Sequence, residues 1–168
     1  DGRRHGVQVL PVDVAVSGWE AALEEQDGQG DAPAVRLGLN SLFGMRAEAA
    51  QRIEDARAIA AFADVADLAR RGGLDRHDLQ VLAAGNALQA LAGHRRAALW
   101  QAAGAVPDKD LLRSTTQEED LPVLAAPTEG EGIVSDYRSQ GLTLGRHPLA
   151  LLRAQLLEER FLPAATLA

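Results

Sequence analysis

The sequence predicts a mainly α-helical fold, with a short extended segment at its N-terminus and a partly irregular C-terminal linker that ends in a helix. Two observations carry this. Apolar residues make up 46% of the 168 positions while aromatics make up only 4%, and Ala and Leu, both strong helix formers, supply most of the apolar share. Between residues 47 and 103 apolar positions recur at helical spacing in successive segments, the later ones closed by glycine. The length suits one domain with a core, or one domain plus ordered flanks.

Residues 7–16, VQVLPVDVAV, alternate apolar and other residues around Pro11 and read as short extended segments near an edge, not as a free-standing sheet. The acidic, Gly- and Pro-rich stretch 24–33 reads as a solvated loop and a boundary, so residues 1–34 form a lead-in. Residues 47–61 place Ala49, Ile53, Ala56 and Ala60 on one face and Glu48, Arg52, Asp55 and Arg57 off it, the pattern of an amphipathic helix. Asp64 caps a second helix that stops at Gly72-Gly73, and Asp75 caps a third that buries Leu79 and Leu82 and stops at Gly85-Asn86. A short turn at 87–91 leads to Gly93. A helix over 94–103 follows, with Leu99 and Trp100 as its expected apolar anchors. The compact unit is thus expected over residues 35–104, a linker over 105–135, and over 136–168 a helical segment that starts at Pro148, packs on a neighbour and leads into a following domain.

Cysteine is absent, which excludes disulfides, thiolate catalysis and Cys-ligated zinc and is compatible with a reducing cytoplasm. The N-terminal residues carry no signal-peptide pattern and no apolar run approaches a bilayer span, so a soluble chain with no membrane role is expected. The formal charge of −7 argues at first sight against nucleic acid. The charge is uneven, however: residues 36–113 hold 11 basic against 9 acidic side chains, and the remainder 6 against 15. The acid lies in the flanks.

No catalytic or metal site emerges. Asp64 with Asp67 sits where acids cap a helix, and Glu118-Glu119-Asp120 lies in the linker. His5, His77, His94 and His147 lack ligand spacing, and the Gly-x-Gly triplets at Gly28 and Gly130 read as spacers in acidic loops. What remains is a set of glycine turns placed before helices, at Gly44, Gly85 and Gly93. The first N–H groups of such a helix have no internal partner and bear the positive end of its dipole, so they can hold a DNA phosphate without reading bases; helix-hairpin-helix units use this physics. On pattern alone the plainer reading is that these glycines end helices and that Arg46, Arg95 and Arg96 are solvated.

Four segments, in order, change that weighting. VRLGLNSLFGMRAEAAQRI and AFADVADLARRGGLDRHDLQVLAAGNALQALAGHRRAALWQAAG together cover residues 35–104, preceded by HGVQVLPVDVAVSGWEAALE and followed by SDYRSQGLTLGRHPLALLR. They resemble the tandem helix-hairpin-helix region of the bacterial C-family DNA polymerases (DNA polymerase III alpha-subunit-like), and GLTLGRHPLALLR and RRAALW are similar to the error-prone, translesion branch. The resemblance implies an internal piece of a DNA-directed polymerase active in damage-induced mutagenesis, without the palm carboxylates and so without catalytic residues or a cofactor of its own. It implies Mg for the parent enzyme, with duplex DNA, a sliding clamp and an inactive Y-family-like protein as partners.

By the same resemblance the DNA-binding positions are Gly44, Met45, Arg46 and Ala47 in the first hairpin, Gly85 and Asn86 in the second, and Arg95 and Arg96 at the start of the following helix. This sequence departs from the family pattern where Arg46 replaces a second hairpin glycine and Phe43 a lysine, and the second hairpin lacks Gly-x-Gly. Two functions are therefore expected to compete. One is a non-specific duplex-backbone module; the other is a scaffold or protein-interaction module whose hairpins no longer touch DNA.

Overall fold

The structure, a computed structural model, describes residues 6–25, 33–105 and 124–161. It is mainly α-helical: a small sheet and one short 3-10 turn precede a bundle of helices. The strands are β1 (Val9–Leu10), β2 (Ala22–Glu24) and β3 (Ala34–Arg36), in the order β1-β3-β2, with β1 parallel and β2 antiparallel to β3. Residues 7–16 thus supply a short edge strand, β1, and no free-standing sheet, as expected; the sheet is completed by β3, which runs across the end of the lead-in. The strand pairs are short, but β3 joins two segments that the sequence set apart, so the boundary expected after residue 34 falls inside a strand. A bidentate ion pair from Arg36 to Glu24, at 2.8 and 2.9 Å, fastens β2 to β3.

After the 3-10 turn at Leu39–Ser41 come α1 (Ala47–Ile59), α2 (Val65–Arg71), α3 (Arg76–Ala84), α4 (Gln89–Ala92) and α5 (Arg95–Ala105). Asp64 and Asp75 cap α2 and α3 as expected, accepting the Asp67 N–H at 2.7 Å and the Asp78 N–H at 2.9 Å. Both acids of the Asp64-Asp67 pair thus serve helix ends, with Asp67 also pairing with Arg70 and Arg71. The core runs through Val12 and Val14 of the lead-in, Leu39, Leu42, Ala49, Ile53, Val65, Leu68, Leu79, Leu82 and Leu88 to Ala98 and Ala102. Leu99 and Trp100 are exposed, contrary to expectation. Helix α5 instead turns its alanine stripe inward, and the small side chains let it approach α3 closely.

The remaining helices are α6 (Glu129–Gln140), α7 (Pro148–Leu151) and α8 (Arg153–Glu158). Helix α6 begins inside the stretch expected to be linker, and Gly130 and Gly132 lie within it instead of in a loop. Thr128 explains this: it forms a reciprocal capping box with Glu131 that starts the helix without help from apolar spacing. Pro148 opens α7 as anticipated, but the expected single helix is two short ones, and Leu149, Leu152, Leu157 and Phe161 stand exposed along them. The Glu118-Glu119-Asp120 run, Gly28 and His5 lie outside the described residues.

Gly38 marks the tightest crossing of the lead-in over the helical unit. Leu39 and Asn40 donate to the Gly18 and Trp19 carbonyls at 2.9 and 3.0 Å, and a Cβ on Gly38 would lie 2.4 Å from Trp19 O and the Glu20 carbonyl carbon. Gly38→Ala is expected to lower the unfolding free energy in a urea titration by about 1–3 kcal/mol, because backbone and not a flexible side chain must move. Gly104→Ala, where the added methyl meets no atom within 4 Å among the described residues beyond its chain neighbours and its own helix backbone, should be neutral or gain up to about 1 kcal/mol. Equal effects at the two sites would contradict this account.

Candidate nucleic-acid interface

The first hairpin turn, Leu42 to Arg46, lies along one face of α3. Gly44 has φ +86°, a left-handed conformation that a residue with a Cβ adopts only under strain, and its carbonyl meets His77 Nε2 at 3.1 Å. A Cβ on Gly44 would stand 3.5 Å from both His77 Nε2 and Val81 Cγ2. One turn further along α3, a Cβ on Gly85 would come within 2.3 Å of Leu42 Cδ2. His77, Val81 and Gly85 are spaced four apart, so one stripe of α3 receives the whole turn. The need for glycine at Gly85 is therefore close approach; its φ of −78° is ordinary, and the left-handed residue is Asn86 at φ 60°. The two turns marked by the sequence are packed against each other.

Beyond the turn, Arg46 is the N-cap of α1 and offers no side-chain cap. The N–H groups of Gly44, Ala47 and Glu48 have no protein acceptor among the described residues, while those of Phe43 and Met45 are taken by Ser139 O at 2.8 Å and Leu42 O at 3.1 Å. A 13-residue helix thus presents its positive end at a surface turn. Ala47 is exposed there; Met45 is buried, so only its backbone is at the turn.

The arginines do not point freely to solvent. Arg46 reaches from the start of α1 to the start of α3, with Nε on Asp78 Oδ1 at 2.9 Å and Nη2 on Asp75 Oδ2 at 2.5 Å; the two carboxylates hold its guanidinium even more firmly protonated than usual. Arg52 adds a longer contact to Asp78 at 3.6 Å. Arg95, with 8% of its side chain exposed, pairs with Asp136, and its Nη1 donates to Gly132 O at 3.0 Å. Arg96 forks onto both oxygens of Glu131 at 3.0 and 3.2 Å and reaches Ala125 O at 2.9 Å. The reading of these three as solvated charges is corrected: each is held by an acid on another helix. Sequence reasoning missed Asp75, Asp78, Glu131 and Asp136 as their partners. The first two were visible only as helix-start acids, and the other two stood in a segment read as linker or tail.

The histidines serve local roles. His94 Nδ1 accepts the Ala97 N–H at 3.1 Å and its Nε2 lies 3.1 Å from Leu124 O, while His147 Nδ1 accepts the Leu149 N–H at the start of α7. Among the described residues no three His, Asp or Glu side chains converge to hold a metal ion, and no helix is long and apolar enough to cross a membrane.

The Asp75 carboxyl is held below its ordinary value first by the Asp78 N–H and then by Arg46. A carboxyl depressed in the folded state stabilises fully above its unfolded value of about 3.9, and that contribution disappears as pH falls through the lower folded value. The stability gap between the wild type and Asp75→Asn, read from urea midpoints, should therefore be widest near pH 5 and above and should close towards pH 2. A gap independent of pH would contradict the pairing.

The family model for the helix-hairpin-helix motif matches residues 6–98 of this chain. A protein named error-prone DNA polymerase from Bordetella parapertussis (strain 12822) is 56% identical over 168 residues, which cover 99% of this chain and 16% of that protein. The same name belongs to a protein of Azoarcus sp. (strain BH72), 54% identical over 100% of this chain and 16% of its own length. A relative from Alkalilimnicola ehrlichii, again so named, is 51% identical with the same coverage. The chain spans about one sixth of the length of these relatives, and all of its described hairpin geometry falls within the matched stretch. It belongs to the helix-hairpin-helix family, in the form carried by the error-prone branch of the bacterial C-family DNA polymerases.

Proposed function

We propose that this chain is a duplex-DNA backbone-binding module of an error-prone polymerase, gripping phosphate without regard to sequence through the first hairpin. The observation that carries the reading is the uncapped start of α1 behind the left-handed turn at Gly44, in a chain that matches the helix-hairpin-helix model. Backbone amides aimed at phosphate carry no base information, which suits a protein that must hold any duplex. Arg46, with 47% of its side chain exposed, can turn one N–H to a phosphate while keeping Asp78. Gly85 and Asn86 then support the grip by seating the turn.

The longer protein would be a DNA-directed DNA polymerase that copies damaged templates in the cytoplasm, working with a sliding clamp and an inactive Y-family-like partner. It would need magnesium for nucleotidyl transfer. The described residues do not fit that ion, so its ligands would come from elsewhere in the longer protein.

A second reading is favoured by one observation: Arg46, Arg95 and Arg96 are all engaged by carboxylates. On that reading the module is a scaffold that orients its neighbours and the hairpins do not touch DNA.

Binding of a labelled random-sequence duplex across a salt series separates the two. The first reading expects sequence-independent affinity of about 10⁻⁴ to 10⁻⁶ M at physiological salt, falling as salt rises. Gly44→Ala should weaken it severalfold, since the turn must either bear strain of about 1–3 kcal/mol or move, and Arg46→Ala should flatten the salt slope by about 0.9 for the phosphate contact removed. A folded chain that binds no duplex at low salt would establish the scaffold instead.

A further inference from the structure

We infer that α6 is a clasp whose docking sets the first hairpin turn, and that Arg95, Arg96 and Asp136 are positioning residues for the DNA grip, acting through Phe43 and not on DNA. This inference rests on the function proposed above for its consequence, but not for its geometry.

Helix α6 is held near its start, in its middle and at its end. Ile133 is its one buried apolar side chain, and it lies outside the contiguous core. At the N-terminal end Arg96 grips Glu131 and the Ala125 carbonyl, and His94 lies against Leu124 O. In the middle Arg95 binds both the Gly132 carbonyl and Asp136, whose second oxygen accepts from Thr143 Oγ1 at 2.7 Å. At the C-terminal end the Ser139 carbonyl accepts the Phe43 N–H at 2.8 Å. Gly141, left-handed at φ +71°, lies so close under Phe43 that a Cβ there would sit 3.0 Å from the ring. Between these fastenings α6 stands away from α5, leaving a groove of about 360 Å³ walled by Leu99 and Val134.

A helix attached this way moves as a lever. Phe43 immediately precedes Gly44, so the Ser139 carbonyl fixes the residue from which the phosphate-binding turn departs. Arg95 and Arg96, about three helical turns of α6 away from that carbonyl at most, decide whether it is in place. Their guanidinium Nη groups are already committed to α6 and to Ala125 just before it. Docking of α6 and phosphate binding at the turn are then linked, and each strengthens the other.

The direct-contact alternative makes the opposite forecast. If Arg95 and Arg96 touched phosphate, removing the carboxylates that compete for them would tighten DNA binding; if they position α6, it should loosen it. The experiment compares Asp136→Asn with Glu129→Gln in the full chain. Each removes one negative charge from α6, but Glu129 pairs with Arg146 and not with Arg95 or Arg96. Amide exchange at Phe43 and duplex affinity are read together, with Leu79 and Leu82 amides as the check that the bundle stays folded.

Asp136→Asn should speed Phe43 exchange at least about tenfold, since it strands a buried guanidinium, and should bind duplex more weakly than Glu129→Gln. Arg96→Ala, breaking an exposed pair, should speed the same amide by up to about fivefold. Wild-type Phe43 exchange in Asp136→Asn, or tighter duplex binding than Glu129→Gln, overturns the inference. Faster Phe43 exchange in a chain whose wild type binds no duplex supports the clasp and overturns the DNA-binding function alone.

Discussion

A carboxylate with none of its side-chain surface exposed, that of Asp78, sits where the starts of α1 and α3 meet. It accepts from Arg46 Nε at 2.9 Å and from the Asp75 N–H at 3.3 Å, with Arg52 at 3.6 Å. A buried carboxylate is tolerable only when paired and hydrogen-bonded, because desolvation costs several kcal/mol otherwise. Once Asp75 and Asp78 close the capping box that begins α3, α1 must bring Arg46 to that point. The residue at the N-cap position of α1 is then also the one that anchors α3, and the turn between Leu42 and Arg46 has no freedom to leave the stripe of His77, Val81 and Gly85. Hairpin geometry here follows from a charge, and the apolar core supports it from below.

Local signals were legible in the sequence to the extent that they were local. Asp64, Asp75 and Pro148 declared their helix starts because capping and N1 preferences act within one turn. The facing of Ile53, Leu79 and Leu82 followed from periodicity. The three-stranded sheet was hidden because its strands are two or three residues long and come from separate stretches of the chain, too short for alternation to register. Helix α6 was hidden for a different reason: GEGIVS has no apolar face, and the capping box at Thr128 and Glu131 stabilises it without one. Leu99 and Trp100 misled because large apolar residues usually mark the buried side, whereas close packing against α3 selects Ala98 and Ala102.

Of the candidate site, the turns were readable and the roles of the arginines were not. A glycine followed by a helix start is a pattern within the chain; a guanidinium's partner is set by what lies opposite in space. Several arginines end on backbone carbonyls left over by helix ends, strand ends and turns: Arg36 on Pro11, Arg52 on Gly72, Arg57 on Val14 and Ser17, Arg71 on Ala60 and Ala61, and Arg96 on Ala125. Such carbonyls have no intrahelical donor, and a planar fork with five N–H groups serves them at a distance that shorter donors cannot reach. In this chain arginine is in large part a structural residue, and its abundance says less about phosphate than its charge suggests.

That conclusion bears on how an acidic chain can grip DNA at all. With the guanidinium groups tied to carboxylates, the surface around the first hairpin is close to neutral, since Arg46 and Arg52 face Asp75 and Asp78. Attraction at long range is then weak, and the net charge of −7 opposes approach. The amides at the start of α1 act only at contact, where their partial charges are unscreened by intervening water and need no surplus of cations. On the DNA-binding function proposed above, a module built this way would contribute little to finding DNA and more to holding a duplex already delivered by the rest of a longer polymerase. The rigidity that Asp78 and α6 give the turn has its use in that setting, because amides fixed in advance lose no further freedom when the phosphate arrives.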